Sequence, residues 1–277
     1  MRSPSQKRPM SFYLLAGFFA LFVLFLYGPM SSIFVLSFQG PEGGLTFPMR
    51  GVSVHWFDVL FNSQRGDAGA AFRRSAGLGL LVMGITTLLS FAAGLAFRRK
   101  FVGSGFIFYL TVISLVMPGL LISLGIGQLF QIVGVGTNWY TSGLGAHLTW
   151  TLPFGLLIMF AVFGRFSRSL EEAARDLGAS RWKILVHVTT PIIFPGIIAV
   201  ALFGFTLSYD EIARSVLAIG TKNTLPLEIF NMTQNVTTPD LYAIGTFTTV
   251  VSLLVILISL WSIAFIQRNR AGTPGKQ

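Results

Sequence analysis

The sequence predicts an all-α membrane protein with six transmembrane helices. Hydrophobic residues occupy 53% of the 277 positions and charged residues 11%, and the mean hydropathy is +0.71. This composition lies far from that of a soluble globular domain. A helix needs about 20 mainly apolar residues to cross a bilayer, and six runs reach that length. They cover residues 12–38, 75–97, 104–132, 144–164, 191–213 and 241–266.

The first apolar run is predicted to be an uncleaved span. Arg2, Lys7 and Arg8 precede it, as they would precede a secretory signal peptide. The apolar stretch from Phe12 onward is longer than the roughly 7–15 residues of a signal sequence, and no cleavage site of the A-x-A kind follows it. A membrane span therefore explains this segment better.

The distribution of lysine and arginine predicts that both termini are cytoplasmic. Fourteen of the 20 basic residues lie in the N-terminus, residues 98–100, residues 165–190 and the C-terminus. Basic residues near span ends are retained on the cytoplasmic side. We therefore expect a cytoplasmic tail over residues 1–11, a transmembrane domain over 12–266 and a second cytoplasmic tail over 267–277.

The outer connections are predicted to be slightly acidic, because the six remaining basic residues share them with seven Asp and Glu residues. The net charge of +10 then reflects topology, and we expect membrane lipid but no nucleic acid as a partner. Three segments form these connections. They are residues 39–74, in which VHWFDVLF could form a short interfacial helix, and the loops 133–143 and 220–240.

Proline and small residues mark the predicted spans in two ways. Proline frees a backbone carbonyl and kinks a helix, and such a break either lines a pathway or is merely tolerated between packed helices. Small residues four positions apart allow helices to pack closely in lipid. The prolines are Pro29, Pro118, Pro153 and Pro195, and the small pairs are Ser75/Gly79 and Ser90/Gly94.

The sequence contains no motif for catalysis, metal binding or nucleotide binding. It lacks the G-x-x-x-x-G-K-[ST] phosphate loop and the H-E-x-x-H zinc motif, and His55, His147 and His187 lie in three separate segments. The chain has no cysteine, which excludes disulfides and thiolate metal sites. We predict no catalytic, cofactor or metal site, so any ATP chemistry must come from a partner.

The most polar stretch in the middle of the chain, EEAARDLGAS at residues 171–180, predicts a short helix over 170–177. Ser169 and Glu172 have the spacing of a capping box. Gly178 stands where a left-handed residue would end the helix, and Ser180 is predicted to cap a second short helix, RWKILVHV.

The apolar positions of the first helix form one narrow stripe, at i, i+3, i+4 and i+7. They are Leu170, Ala173, Ala174 and Leu177. Two of the four are alanines, which permit close approach by a partner, although so narrow a stripe could also rest on the ends of the chain's own spans.

Residues Glu172 to Pro191 resemble the E-A-A-x3-G-x9-I-x-L-P signature of permease subunits of binding-protein-dependent ABC importers. Glu172, Ala173, Ala174, Gly178 and Pro191 match the signature, whereas valine and threonine replace its isoleucine and leucine at positions 188 and 190.

The resemblance implies a type I ABC importer permease-like fold in a bacterial inner membrane. It implies a cytoplasmic coupling segment, residues 166–190, that sits in a groove of an ATP-binding subunit. Glu172 would close the helix cap and contact the ATPase, Ala173 and Ala174 would let the groove approach, and Gly178 would make the turn. The implied partners are a second permease, two ATP-binding subunits that bind ATP and Mg, and a periplasmic or extracellular substrate-binding protein.

A wider resemblance, over residues 70–265, is to the second permease subunits of spermidine/putrescine importers. The segments that carry it are 114–126, 207–220 and 224–232. It implies a polyamine-type substrate. Related permeases carry iron, thiamine, phosphonates, sulfate or amino acids, so these substrates stay open.

Tyr209, Asp210 and Glu211 stand near the outer end of the fifth predicted span, where acids are costly unless they are paired or hydrated. In one interpretation they form part of the substrate pathway and attract a polyamine, with the Tyr209 ring facing an ammonium group. In the other, Asp210 and Arg214 form a weak i,i+4 ion pair on an interfacial helix.

Two other classes are compatible with a polytopic membrane protein. A secondary transporter usually shows buried acids and inverted repeats, and an intramembrane enzyme needs a nucleophile–base pair or a metal cluster inside its spans. Neither pattern is evident in the sequence. An ATPase subunit that co-purifies with the chain would distinguish an ABC importer from both.

Overall fold

The computed structural model describes residues 9–62, 68–99, 101–234 and 238–271, and these are nearly all helical. No strand occurs in these ranges beyond an isolated bridge between Gln39 and Val52. Residues 1–8 and 272–277 of the two predicted tails lie outside the described residues. The helices are α1 (Met10–Leu36), α2 (His55–Asn62), α3 (Ala68–Phe97), α4 (Ser104–Val116), α5 (Gly119–Ile132), α6 (Ser142–Gly164), α7 (Ser169–Asp176), α8 (Arg181–Ile184), α9 (Thr190–Tyr209), α10 (Leu225–Gln234) and α11 (Asp240–Ala271).

Six candidate membrane spans are present in these ranges, as the sequence predicts, when α4 and α5 are counted together as one span. The other five are α1, α3, α6, the continuous helix Arg181–Tyr209 and the first part of α11. Helices α4 and α5 bend by 106° at the break between them. The third span is therefore broken at Met117-Pro118, because the residue before a proline is forced into an extended conformation, here φ −67° and ψ 129°.

The other three prolines do not break their helices. Pro29, Pro153 and Pro195 lie inside α1, α6 and α9 respectively. These three helices therefore accommodate their prolines without a break. Two predicted loops are also partly helical. The second span begins at Ala68 instead of residue 75, and the 220–240 connection contains α10, which accepts Pro226 in its first turn because no intrahelical N–H bond is lost there.

The chain divides into two compact units, Met1–Gly66 with Met232–Ile256 and Asp67–Asn231 with Leu257–Gln277. In the first unit, the predicted VHWFDVLF helix is confirmed as α2. The turn after α1 is held by the buried Gln39, whose side chain donates to Gly44 O at 3.0 Å and accepts from Arg50 N at 2.8 Å.

In the second unit, α3, α6 and α9 pack together around a core of five buried side chains. These are Met159, Phe163, Phe166, Ile193 and Val200. The small-residue pairs of α3 are buried as predicted, and Thr86 and Thr151 form a 2.9 Å hydrogen bond between α3 and α6. Small side chains and hydrogen-bonded hydroxyls therefore bring these helices close together.

Gly155 marks the closest approach of these helices, and Gly155→Ala is expected to destabilise the fold. A Cβ at this position would lie 2.3 Å from Ser90 Oγ, 2.9 Å from Thr86 Cγ2 and 3.1 Å from Val200 Cγ1. We expect a loss of about 1–3 kcal/mol in the free energy of unfolding, which is typical of overpacking. Unfolding of the detergent-solubilised chain, followed by circular dichroism, measures it.

Gly145→Ala on the same helix is the matched control. A Cβ at Gly145 would meet no heavy atom within 4 Å, and alanine favours a helix over glycine. An equal loss of stability in both variants would contradict close helix packing at Gly155.

Candidate functional site

The predicted end of α7 at Gly178 is confirmed in detail. Gly178 has φ +82°, and its N–H donates to Arg175 O at 2.9 Å while Ala179 N–H donates to Ala174 O at 3.0 Å. This pair of bonds is the Schellman arrangement, which satisfies the last carbonyls of a helix. A left-handed residue is required there, and glycine adopts that conformation without steric cost.

The predicted capping box at the start of α7 is wrong. The N-cap is Arg168, whose backbone is helical and whose side chain makes no cap bond. Ser169 is the first helical residue, and its hydroxyl is 2.6 Å from that of Ser167. Because Ser169 is already the first helical residue, its hydroxyl does not cap the helix by accepting a backbone N–H of the first turn. Glu172 therefore does not complete a capping box with it.

Glu171, the residue next to Glu172, attaches α7 to the ends of the spans. Arg98, just past α3, donates to both of its carboxylate oxygens at 2.7 and 2.8 Å, and Thr189 donates to one of them at 2.7 Å. The Arg98 guanidinium also lies 5.3 Å from the ring centroid of Phe163 and 5.1 Å from that of Phe166. Bidentate pairs of this kind are among the stronger hydrogen bonds in proteins.

This ion pair lowers the pKa of Glu171 below its ordinary value, chiefly through the hydrogen bond from Arg98. No sequence motif marks Glu171 as the residue that attaches α7. Its partners stand 73 residues before it and 18 residues after it, so no local spacing connects them. The one available signal was the presence of basic residues at 98–100, in the connection that follows α3.

Three of the four residues in the apolar stripe of α7 are exposed, and the fourth, Ala174, is half-buried. Leu170 is 46% exposed and Leu177 is 88% exposed, and Trp182 just beyond them is 71% exposed. Ala173 and the carboxylate-bearing Glu172 are exposed as well. Exposed apolar residues grouped in this way mark an interaction surface, so of the two interpretations the structure favours a partner.

The second short helix is present but does not stand alone. Ser180 Oγ accepts Lys183 N at 3.4 Å, which confirms the predicted cap. Helix α8 then continues through a π-helical turn, Leu185–Thr189, into α9. Pro191 follows in the first turn of α9. A proline ring clashes with the carbonyl four residues before it in a regular α-helix, and the wider π turn relieves that contact.

The three predicted substrate-pathway residues differ sharply in exposure. Tyr209 ends α9 and is buried, with its ring stacked on Phe205 at 5.7 Å between centroids and edge-on to Phe72 at 6.4 Å. Glu211 is also buried, whereas Asp210 is exposed. The Tyr209 ring face is therefore occupied by protein, and only the Asp210 carboxylate is open to solvent or solute.

The alternative interpretation, an ion pair between Asp210 and Arg214, is wrong, because Arg214 pairs with Glu211 instead. Arg214 Nη1 lies 3.4 Å from Glu211 Oε2, and Arg214 N donates to Glu211 Oε1 at 2.9 Å. The guanidinium also lies 4.5 Å from the Trp150 ring centroid. Helix α9 has already ended at Tyr209, so the i,i+4 geometry assumed for Asp210 does not exist.

A buried histidine network lies beside this pair and was missed by sequence reasoning. His147 Nδ1 is 2.9 Å from Ser208 Oγ, and Nε2 is 3.0 Å from Ser215 Oγ. Ser215 itself donates to Glu211 O at 2.8 Å. Ser215 must therefore accept from Nε2–H, which leaves Nδ1 to accept from Ser208. Nδ1 therefore joins α6 to α9, and Nε2 joins α6 to the segment after α9.

Comparison with known proteins identifies the family. Residues 78–271 match the model of the family described as "Binding-protein-dependent transport system inner membrane component".

The chain belongs to this family.

Curated relatives and solved structures agree with membership of this inner membrane component family. The chain is 30% identical to the spermidine/putrescine transport system permease protein PotC of Haemophilus influenzae over 254 residues, which cover 90% of this chain and 95% of the relative. It is also 30% identical to the putrescine transport system permease protein PotI of Escherichia coli K12 over 236 residues, 80% of each chain.

Two solved structures share the fold at low sequence identity. A bacterial ABC transporter that imports the acidic polysaccharide alginate matches with a TM-score of 0.65 and 15% identity over 94% of this chain and 95% of that one. The MetNI methionine ABC transporter matches with a TM-score of 0.52 and 14% identity over 72% of this chain and 97% of that one.

Membership of the binding-protein-dependent family confirms several predictions. The chain is a permease subunit of an ABC importer, with the predicted permease-like fold, and it is a multi-pass protein of the bacterial inner membrane. It is a transport component and not an intramembrane enzyme or a secondary transporter. An importer of this kind works with a partner permease, an ATPase and a binding protein.

Glu171→Gln is expected to loosen α7 from the spans. The amide keeps the shape but loses the ion pair with Arg98, at a cost of about 1–3 kcal/mol in local stability. Hydrogen exchange of residues 169–176 in the detergent-solubilised chain measures this. Because the Glu171 pKa is lowered, wild-type protection should be complete above the ordinary glutamate pKa and be lost as the pH falls through the lowered one.

Glu172→Gln is the matched control, because Glu172 is exposed and forms no ion pair within the described ranges. Its exchange rates and their pH dependence should equal those of the wild type. Equal loss of protection in the two variants, or no loss in either, would show that Glu171 does not hold α7.

Proposed function

We propose that the chain is one of two permease subunits of an importer for a small cationic solute of the polyamine type. The observation that supports a polyamine substrate is the similarity to a spermidine/putrescine permease and a putrescine permease over 80% or more of the chain. The exposed carboxylate of Asp210 and the slightly acidic set of outer connections agree with it, because both attract a cation. The alternatives are the same permease role with an amino acid, iron, thiamine or phosphonate.

The coupling segment, residues 166–190, is proposed to bind an ATP-binding subunit on the cytoplasmic side. Its exposed Leu170, Leu177 and Trp182 supply apolar area, and the small Ala173 allows close approach. Glu172, free of the ion pair that holds Glu171, would contact the ATPase. In this proposal, two ATP-binding subunits bind ATP and Mg, and this chain binds neither.

On the outer side, Asp210 is proposed as the first contact for the solute. Tyr209 and Glu211 lie behind it and are buried in the present conformation. They can reach a solute only if the segment after α9 moves. A substrate-binding protein would deliver the solute to this side, and a second permease would form the other half of the pathway.

Uptake of labelled putrescine or spermidine into vesicles tests the substrate class. The vesicles contain the complete complex and are supplied with binding protein and ATP. Uptake that depends on ATP supports the proposal. Uptake of an amino acid, iron, thiamine or a phosphonate instead would agree with the permease role but would contradict a polyamine substrate.

Asp210→Asn is expected to raise the KM for polyamine uptake by about two- to fivefold with little change in kcat. It removes one exposed attractive charge, which is worth less than about 1 kcal/mol, and it leaves the Glu211–Arg214 pair intact. Glu42→Gln is the matched control, since Glu42 is an exposed acid of another outer connection. An equal rise in KM for both variants would mean that overall charge matters and that Asp210 has no direct role.

Gly178→Val is expected to uncouple ATP hydrolysis from transport, with insertion into the membrane intact. A β-branched residue at φ +82° costs about 1–3 kcal/mol, so the Schellman turn should open and α7 should shift. The ratio of ATP hydrolysed to solute imported measures coupling. Gly178→Asn is the control, because asparagine tolerates this conformation better. An unchanged ratio of ATP hydrolysed to solute imported in the valine variant would show that the Gly178 turn has no role in coupling.

A further inference from the structure

Two adjacent cavities lie beside helix α7, and Glu172 is the one residue of their linings that the proposed ATPase contact uses. The first has a volume of about 310 Å³ and a polar lining that includes Arg98, Arg99, Arg168, Arg175, Glu171 and Glu172. The second, of about 360 Å³, is bounded by Phe97, Phe160, Phe163 and Gly94 as well as by Arg98 and Arg168. Arg98 and Arg168 belong to both linings, so a polar cavity adjoins a partly aromatic one.

The charge of the first cavity favours an anion. Four arginines face two glutamates in its lining. The Arg98 guanidinium is already paired with Glu171, so that carboxylate repels an anion little. Arg168 donates one N–H to Arg98 O and keeps its other donors. Arg99 and Arg175 are exposed and form no ion pair within the described residues. Guanidinium groups in this number match the oxygen atoms of a phosphate.

The position of the cavities favours a lipid phosphate over a free one. They lie where α3 and α6 end, which the lysine and arginine distribution places at the cytoplasmic face. Anionic headgroups attract basic residues at that surface. Phe97 and Phe160 are half-buried, with ring centroids 5.0 Å apart, and they supply an apolar wall. Free phosphate would fill the first cavity and leave the second without a suitable ligand.

We propose that an anionic phospholipid of the cytoplasmic leaflet binds here. Its phosphate lies among Arg99, Arg168 and Arg175, and its glycerol and the first part of its acyl chains lie against Phe97 and Phe160. This inference goes beyond the solute carried and does not depend on it. Since Arg99 follows α3 and Arg175 lies on α7, the bound lipid adds a second link between the coupling helix and the span, beside the Arg98–Glu171 pair.

Native mass spectrometry of the full chain tests the proposal. The chain is purified in detergent and mixed with equimolar phosphatidylglycerol and phosphatidylcholine. We expect retention of phosphatidylglycerol in preference to phosphatidylcholine. The double variant Arg99→Gln/Arg175→Gln should bind it more weakly, by about fivefold for each arginine removed.

The double variant Arg181→Gln/Lys183→Gln is the matched control, because it removes two exposed charges of the same segment that line neither cavity. It should retain phosphatidylglycerol as the wild type does. An equal loss of phosphatidylglycerol binding in both double variants would show that general surface charge causes the binding, and it would overturn the proposed site. The absence of any preference for phosphatidylglycerol in the wild type would also overturn it.

A second arm distinguishes the two sources of phosphate. Inorganic phosphate is added to the chain with bound phosphatidylglycerol, at the same concentration as the lipid. Retention of the lipid supports the lipid site, whereas displacement would identify the cavity as a site for free phosphate. A folding control, circular dichroism of each variant, ensures that lost binding reports on the arginines. Solute uptake enters none of these measurements, so failure here leaves the proposed transport function untouched.

Discussion

Polar groups within a bilayer have no water to bind, and the second unit of this chain is built around that constraint. Several polar side chains buried among α3, α6 and α9 are hydrogen-bonded to another helix or to the segment after α9, although Ser90 Oγ and Tyr209 Oη have no partner among the described residues. Thr86 meets Thr151, and His147 meets Ser208 and Ser215. These bonds also fix which helix faces meet. Because each hydroxyl or imidazole would be costly if left unpaired, the same contacts that permit burial specify the packing.

The coupling segment meets the constraint differently, because it lies at the end of the spans and not within them. There the Arg98–Glu171 pair joins α7 to α3, and Thr189 joins the same carboxylate to the π-helical turn that leads into α9. One carboxylate thus connects three elements. In the proposed docking of an ATPase on Leu170 and Leu177, Glu171 would transmit a force on α7 to α3 and α9 through these bonds.

Sequence reasoning succeeded where the controlling interactions are local. The Gly178 turn and the Ser180 cap each depend on atoms within a few residues. Proline was a weaker signal, because the chain breaks at Pro118 but α1, α6 and α9 continue through Pro29, Pro153 and Pro195. The capping box at Ser169 failed because its spacing is also compatible with a helix that starts one residue earlier. Glu171 and His147 could not have been assigned, since their partners lie far along the chain and the third dimension brings them together. The extra length of α3 and the presence of α10 were missed because polar residues at a helix end resemble a loop.

The outer end of α9 shows how a misplaced helix boundary changes a chemical interpretation. With the helix continued past Tyr209, Asp210 and Arg214 would face each other and neutralise one another. Because the helix ends at Tyr209, the chain turns and Glu211 forms the ion pair with Arg214, while the Trp150 ring lies against the guanidinium face. Asp210 is left exposed as the unpaired charge of this group. A carboxylate and an aromatic ring around Arg214 already form a complete cation site within the protein. In the proposed pathway a cationic solute would therefore meet Asp210 first, and it would reach Glu211 only by displacing Arg214, which requires a movement of the segment after α9.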